Sequence, residues 1–321
     1  MPANHLTPAL ILLIGSISLP APKAHATFSI VACDADTQQC GVAVATHNLA
    51  VGDGVPFARF GLGAGVSQFE TNACHEPAAW SQLKQDGNAD KALVEALDRD
   101  SACEDGLDSA FRQIGIVSIN GSAAAHTGRE AAEFSGHQTR RHVSVQGNGL
   151  TSEAVLEAML SHYLHAKGPL PERLLGALEA AYAAGGQTIG VTSAALLVAT
   201  QEGWPVDTDL RVDFAPGLAI EQLRAQYDAA YARQLINRAR RSQSAEQKAQ
   251  LASEALQRAP HWDRIWLSAA RLSAQDGHHD RALQRACRFA AINPAWAQLL
   301  ADEFDFSSCP PNAIPNASSA N

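Results

Sequence analysis

The stretch TFSIVACDADTQQCGVAVAT, Thr27 to Thr46, decides the fold. TFSIVAC at its start is rich in β-branched and aromatic residues, CGVAVAT at its end is apolar or small, and the polar run DADTQQ joins them. That pattern predicts two strands joined by a tight turn. The second strand offers apolar or small side chains on both faces, as a sheet covered on both sides requires.

Toward the N-terminus, Ala9–Leu19 is an apolar run of export-signal length. It is too short to span a bilayer comfortably. Ala24 and Ala26 put small residues at the −3 and −1 positions of a cleavage site, although no Lys or Arg precedes the apolar run. The expectation is a signal peptide over residues 1–26 and an exported protein, periplasmic or secreted. Six cysteines and no C-x-x-C pair fit an oxidising compartment. Pairing sequence neighbours gives Cys33–Cys40, Cys74–Cys103 and Cys287–Cys309, with other connectivities open.

Toward the C-terminus the pattern mixes strands and helices. A third strand is expected within FARFGLGAGVSQ (57–68), and helices in EPAAWSQLKQDG (76–87) and NADKALVEALDRD (88–100), the second with Asn88 as N-cap. IGIVSINGSAAAHTG (114–128) predicts a hairpin, with Asn120-Gly121 supplying both positive-φ positions of a type I′ turn. HVSVQGN (142–148) is a strand. Two helices follow, from about Thr151 to Ala166 and from about Pro171 to Gly185-Gly186, then strands TSAALLVAT and DLRVDF. The helices come in blocks, which favours antiparallel sheets packed face to face and covered outside by helices over a doubly wound parallel sheet. A long helix starts near Gly217, and residues 226–300 form a helical extension. Trp266, Ala270, Ala282, Phe289 and Pro294 there approach tetratricopeptide spacing, and an ordinary helical hairpin explains them equally. Residues 301–321 are expected to be a disordered tail.

The formal net charge of −9 over 321 residues argues against nucleic-acid binding. No later segment is a transmembrane candidate. No G-x-S-x-G elbow, H-E-x-x-H, P-loop or Rossmann fingerprint is present, so no metal and no cofactor is expected.

A cut after Ala26 would expose Thr27. A mature N-terminal Thr carries a hydroxyl and an α-amine on one residue, and an amine of pKa about 8 accepts the hydroxyl proton near neutrality. Ser29, on the same strand face by period two, is placed to bond that amine. Gln146, Gly147 and Asn148 end a strand, where an Asn side chain and nearby N–H groups can hold an oxyanion and a glycine lets a ligand approach. Gly and Asn also end strands in plain turns. His47 and Asn48, after the second strand, are candidates to line a pocket. His126 is another, and Arg129 suits a substrate carboxylate. Each of these four also fits an ordinary surface role.

From Thr27 to about Ala225 the chain resembles the Ntn-hydrolase-like family catalogued as domain of unknown function 1028. The resemblance rests on TFSIVACDADTQQCGVAVAT, AVGDGVPFARFGLGA, QIGIVSINGSAAAHTG, SGHQTR, HVSVQGN, GPLPERLLGALEAAYAAGG, SAALLV and DLRVDF, in that order. Cys33 stands where Arg is more usual, and Gly149 where a larger apolar residue is common. The resemblance implies an α+β, four-layer αββα sandwich over 27–225 with a nucleophile at the end of a central strand. It implies no substrate. Two functions follow as expectations. One is an exported amidohydrolase in which Thr27 attacks a small acyl-amide or peptide-like substrate and Asn148 and Gly147 hold the oxyanion. The other is a non-catalytic binding or scaffold protein whose helical tail docks a protein partner. Both leave room for a homo-oligomer.

Overall fold

The computed structural model describes residues 26–103, 106–131, 134–201 and 208–310. The expected export segment lies outside them apart from Ala26, as do residues 311–321. The opening stretch forms β1 (Thr27–Asp34) and β2 (Gln39–Thr46), paired antiparallel with Cys33 opposite Cys40 and Thr27 opposite Thr46. Every residue of β1 except Asp34 is buried.

Both faces of that hairpin are used. Val31, Val42 and Val44 face a second sheet and pack with Ala64, Val66 and Val117. Phe28, Ile30, Ala43 and Ala45 face the other way, against Met159, Leu174, Leu175 and Leu178. Phe28 and Ile30 are wholly buried, and burial of such side chains stabilises by about 1.5–3 kcal/mol each.

The remaining strands are β3 (Pro56–Arg59), β4 (Gly63–Phe69), β5 (Arg112–Ser118), β6 (Ala123–Thr127), β7 (Gly136–Arg140), β8 (Val143–Asn148), β9 (Ser193–Ala199) and β10 (Thr208–Val212). One sheet runs β10-β9-β2-β1-β8-β7 and the other β3-β4-β5-β6. All pairings are antiparallel. Helices α1 (His75–Asp86) and α2 (Ala89–Asp98) cover the smaller sheet through Ala79, Trp80, Leu83, Ala92 and Ala96. Asn88 caps α2, its side chain accepting from Lys91 N at 3.0 Å. Helices α3 (Ala154–His165), α4 (Leu170–Ala183) and the first half of α5 (Ala219–Arg241) cover the larger sheet. The protein is thus α+β, with two antiparallel sheets face to face and helices outside.

Three local expectations are corrected. The region 57–68 is two strands, not one, because Gly61 turns the chain at φ 66° between β3 and β4. The β5–β6 connection is not a type I′ turn. Gly121 N donates to Ser118 O (3.0 Å) and Gly121 has φ 98°, while Asn120 keeps negative φ. This is a turn over Ser118–Gly121 followed by a left-handed glycine, the three-residue solution. Strand β7 was not expected: its sequence, GHQTR, is polar, because it is an edge strand and partly exposed.

A boundary at residue 225 falls inside α5. Ala219, Ile220, Leu223 and Tyr227 join the core under the larger sheet, and Ala232, Leu235, Ile236 and Ala239 begin a separate helical core. That core adds α6 (Ala245–Arg258), α7 (Asp263–Gln275), α8 (His279–Ile292) and α9 (Pro294–Gln298). Residues 301–310, expected within a disordered tail, pack: Phe304 is buried with Phe289, and Cys309 bonds Cys287. Cys33–Cys40 and Cys74–Cys103 are the other two disulfides, so all six cysteines pair as sequence neighbours. No described helix is long and apolar enough to cross a membrane.

Candidate active site

Strand alternation puts Thr27, Ser29, Thr46, Gln146 and Asn148 on the face that meets the second sheet. Across one end of the larger sheet the register lines up Asn148, Thr27, Thr46 and Ser193 on adjacent strands. All four are buried.

The hydroxyls in this row have fixed roles. Thr46 Oγ1 donates to Ala26 O at 2.7 Å, and Asn48 N donates to Thr46 Oγ1 at 3.3 Å. A hydroxyl has one hydrogen, so in the 3.0 Å contact between Thr46 Oγ1 and Thr27 Oγ1 the donor is Thr27. Among the described residues no group donates to its lone pairs. His47 N also donates to Ala26 O, at 3.4 Å. The carbonyl one bond before Thr27 therefore accepts from two donors beside the Thr27 hydroxyl.

Main-chain pairing places the Thr27 nitrogen. Cys33 N donates to His142 O at 3.0 Å. Hydrogen-bonded pairs recur every second residue along an antiparallel ladder. Six residues along, Thr27 and Asn148 form such a pair, so the Thr27 nitrogen faces the Asn148 carbonyl.

Behind the row lies a buried amide network. The two hydrogens of Gln113 Nε2 have three acceptors in reach, Gly147 O (2.8 Å), Thr127 Oγ1 (3.0 Å) and Gly136 O (3.2 Å). Carbonyls only accept, which fixes that amide's orientation. Gln113 Oε1 then accepts from Asn148 Nδ2 (2.8 Å) and Gln68 Nε2 (2.7 Å). Ser29 Oγ donates to Gln68 Oε1 (2.6 Å) and accepts from Gln146 Nε2 (2.7 Å). Asn148 Oδ1 is left buried with no hydrogen-bond partner. A side chain at residue 115 would collide with the Gln146 carboxamide, so Gly115 is what lets the sheets approach here. At the outer end, Thr127 Oγ1 lies 2.9 Å from His137 Nδ1. Partial burial, then the charge of His126, push the His137 pKa down.

The structure brings Thr27, Ser29, Gln146, Gly147 and Asn148 together. Gly147 takes part through its carbonyl, and its Cα faces Leu150. His47 and Asn48 have exposed side chains and reach the site through backbone N–H groups. His126 and Arg129 are not gathered here: His126 Nε2 lies 2.8 Å from Ser109 O, and Arg129 is exposed and pairs with Glu130 at 3.6 Å. Thr46, Gln68 and Gln113 were missed. The signal for Thr46 was available: counting back from Cys33–Cys40 along both strands reaches Thr27 and Thr46.

A second cluster has the residue types of a hydrolytic triad. Ser67 Oγ lies 2.8 Å from His75 Nδ1, and His75 Nε2 lies 3.1 Å from Asp100 Oδ1. Arg112 Nε and Asn72 Nδ2 also donate to Asp100, at 2.7 and 2.8 Å. All five residues are buried, and Cys74–Cys103 closes over them. This cluster pins the start of α1 and the segment after α2 to the smaller sheet. Among the described residues no group of His, Cys, Asp and Glu is arranged to hold a metal ion.

Paired antiparallel sheets, clad in helices and enclosing a hydroxyl- and amide-lined end, define an α+β protein with a polar site at one sheet end. The chain belongs to the family of unknown function DUF1028, whose family model matches residues 27–223. It is similar to a solved structure, protein SPO2555 from Silicibacter pomeroyi, which is assigned to the same DUF1028 family. The two share 31% identity with a TM-score of 0.57, over 64% of this chain and 86% of that one. No curated protein matches the chain.

Proposed function

We propose that the protein is an exported amidohydrolase of the N-terminal-nucleophile type, with Thr27 exposed by removal of residues 1–26. The sheet and helix layers then correspond to an αββα sandwich of the Ntn kind, and residues 226–300 to a tetratricopeptide-like extension. The observation that carries this reading is the Ala26 carbonyl, gripped by Thr46 Oγ1 and His47 N beside the Thr27 hydroxyl. Once the chain is cut, that space is free for a substrate's acyl group, and the same two donors meet its oxygen.

In this mechanism Thr27 Oγ1 attacks the acyl carbonyl carbon and its proton passes to the Thr27 amine. The carbonyl electron pair moves to oxygen, where Thr46 and His47 N–H stabilise the charge. Asn148 Nδ2 retains one hydrogen for the same task. Asn148 O and the unpartnered Oδ1 are acceptors for the Thr27 ammonium. Collapse of the intermediate breaks the C–N bond, and the leaving amine takes the proton. Water then attacks the Thr27 ester, releasing acid and restoring the hydroxyl. The test is the mature N-terminus by mass spectrometry, with wild type and Thr27→Ala compared on a panel of acyl amides. An N-terminus elsewhere, or undiminished turnover by Thr27→Ala, overturns the reading.

A further inference from the structure

We propose that the cleft between α5 and α7 binds an acidic peptide segment in extended conformation. The cleft encloses 320 Å³. Arg233 and Arg240 stand on its α5 side, Arg264 and Arg271 on its α7 side, and no aspartate or glutamate lines it. This positive lining sits in a chain of net charge −9, so its field belongs to the cleft and not to the protein at large.

Most of these guanidiniums are uncommitted. Among the described residues Arg233 and Arg264 have no acidic partner, and Arg240 touches only the neutral Asn237 (3.3 Å) and Ser268 (3.4 Å). Arg271 shows the chemistry the cleft favours, gripping both oxygens of Glu303 at 2.7 and 2.6 Å. That fork geometry is what makes arginine selective for carboxylates. Outside the cleft, Arg224 on α5 and Arg258 on α6 are satisfied, holding Glu172, Glu179 and Asp228.

The spacing selects a peptide over a single anion. Each helix carries its arginine pair seven residues apart, about 10.5 Å along the axis. An extended chain advances about 3.3 Å per residue, so acidic residues three apart match that interval. Between the charges the cleft is floored by the buried Ile236 and Ile265 and edged by Trp262 and Trp296, with Asn237 and Ser268 its neutral polar groups. A peptide with apolar residues between its acids therefore fits better than a polyanion.

The probe is a fluorescein-labelled octapeptide with two aspartates three residues apart and leucine and alanine between them, titrated by anisotropy into the whole mature chain. Comparison arms are the same peptide with asparagine for aspartate, free citrate as competitor, and raised salt. Saturable binding is expected for the acidic peptide, at least tenfold weaker with asparagine and weakened by salt. Arg240→Gln with Arg264→Gln should weaken it at least tenfold. Glu303→Gln, which frees Arg271, should tighten it about threefold. Arg238→Gln, exposed on α5 outside the cleft, should change nothing. Thr27→Ala should bind as wild type, which separates this site from the hydrolase reading. Absent saturation, equal binding of the asparagine peptide, an equal loss in Arg238→Gln, or displacement by citrate at the peptide's own affinity overturns the proposal. If the double variant fails to fold by circular dichroism, the Glu303→Gln and asparagine arms decide.

Discussion

The Thr27 and Thr46 hydroxyls meet at 3.0 Å across β1 and β2, and Thr27 is the donor because Thr46 spends its hydrogen on Ala26 O. On the proposed reading, cleavage after Ala26 releases that hydrogen to an incoming carbonyl. Thr46→Val keeps the shape and removes the donor. We expect kcat on the best acyl amide to fall about 100-fold with KM little changed. Thr46→Ser should restore most of the rate. Urea unfolding should show a stability loss for Thr46→Val of about 1 kcal/mol, which separates lost chemistry from lost fold.

Gln113 joins the two sheets through one carboxamide. Gln113→Leu leaves Gly147 O, Gly136 O, Asn148 Nδ2 and Gln68 Nε2 without this partner. Unpaired buried groups cost about 1–3 kcal/mol each, offset in part by the apolar replacement. A loss of about 2–4 kcal/mol is expected in urea unfolding. A loss below about 1 kcal/mol would show that the network is slack.

Much of this was legible in the sequence, and the failures share a cause. Phe28, Ile30, Val42 and Val44 announce the β1–β2 hairpin because alternation and branching are local. The cysteine pairs are those of sequence neighbours, one of several connectivities the sequence leaves open. Gln68 and Gln113 gave no signal, because a polar residue in an apolar strand is indistinguishable from an edge position until the facing sheet is known. His126 and Arg129 were chosen for side-chain chemistry alone; His126 on β6 meets Ser109 O, and Arg129 lies exposed in the turn after β6. Residue 225 looked like a boundary because the family resemblance ends there, yet one helix carries both cores.

Asp100 sits between His75 and Arg112, and Arg112 is fully buried. Removing the carboxylate charge takes one ion pair from a buried guanidinium, which keeps its bonds to Glu70 O and Leu107 O. Asp100→Asn should cost about 1–3 kcal/mol in denaturant unfolding, and should leave the proposed turnover at Thr27 unchanged in the folded protein.

The 29-residue separation of Cys74 and Cys103 closes the longest of the three disulfide loops. Loop closure alone is worth about 3–4 kcal/mol at that length and about 2 kcal/mol for Cys33–Cys40. Paired alanine variants, compared by urea midpoint, should rank in that order.

Alkali tests the packing beneath the larger sheet. Burial pushes Tyr163 up to about 12, against the lowering effect of Arg173, whose guanidinium lies 4.3 Å from its ring. The unfolded phenol ionises near pH 10 while the folded one keeps its proton, so stability is lost as pH rises from about 10 to about 12. Tyr163→Phe should flatten that decline, by about 2–3 kcal/mol across the window, in unfolding curves measured at stepped pH.

The central claim is that Thr27 becomes an N-terminal nucleophile, and acyl trapping tests it most directly. The exported protein is incubated with a β-lactone, which acylates a reactive hydroxyl, and mapped by peptide mass spectrometry. The account predicts a chain beginning at Thr27, one acyl group on that residue, and no adduct in Thr27→Ala. A chain beginning elsewhere, or an adduct that persists in Thr27→Ala, would contradict it.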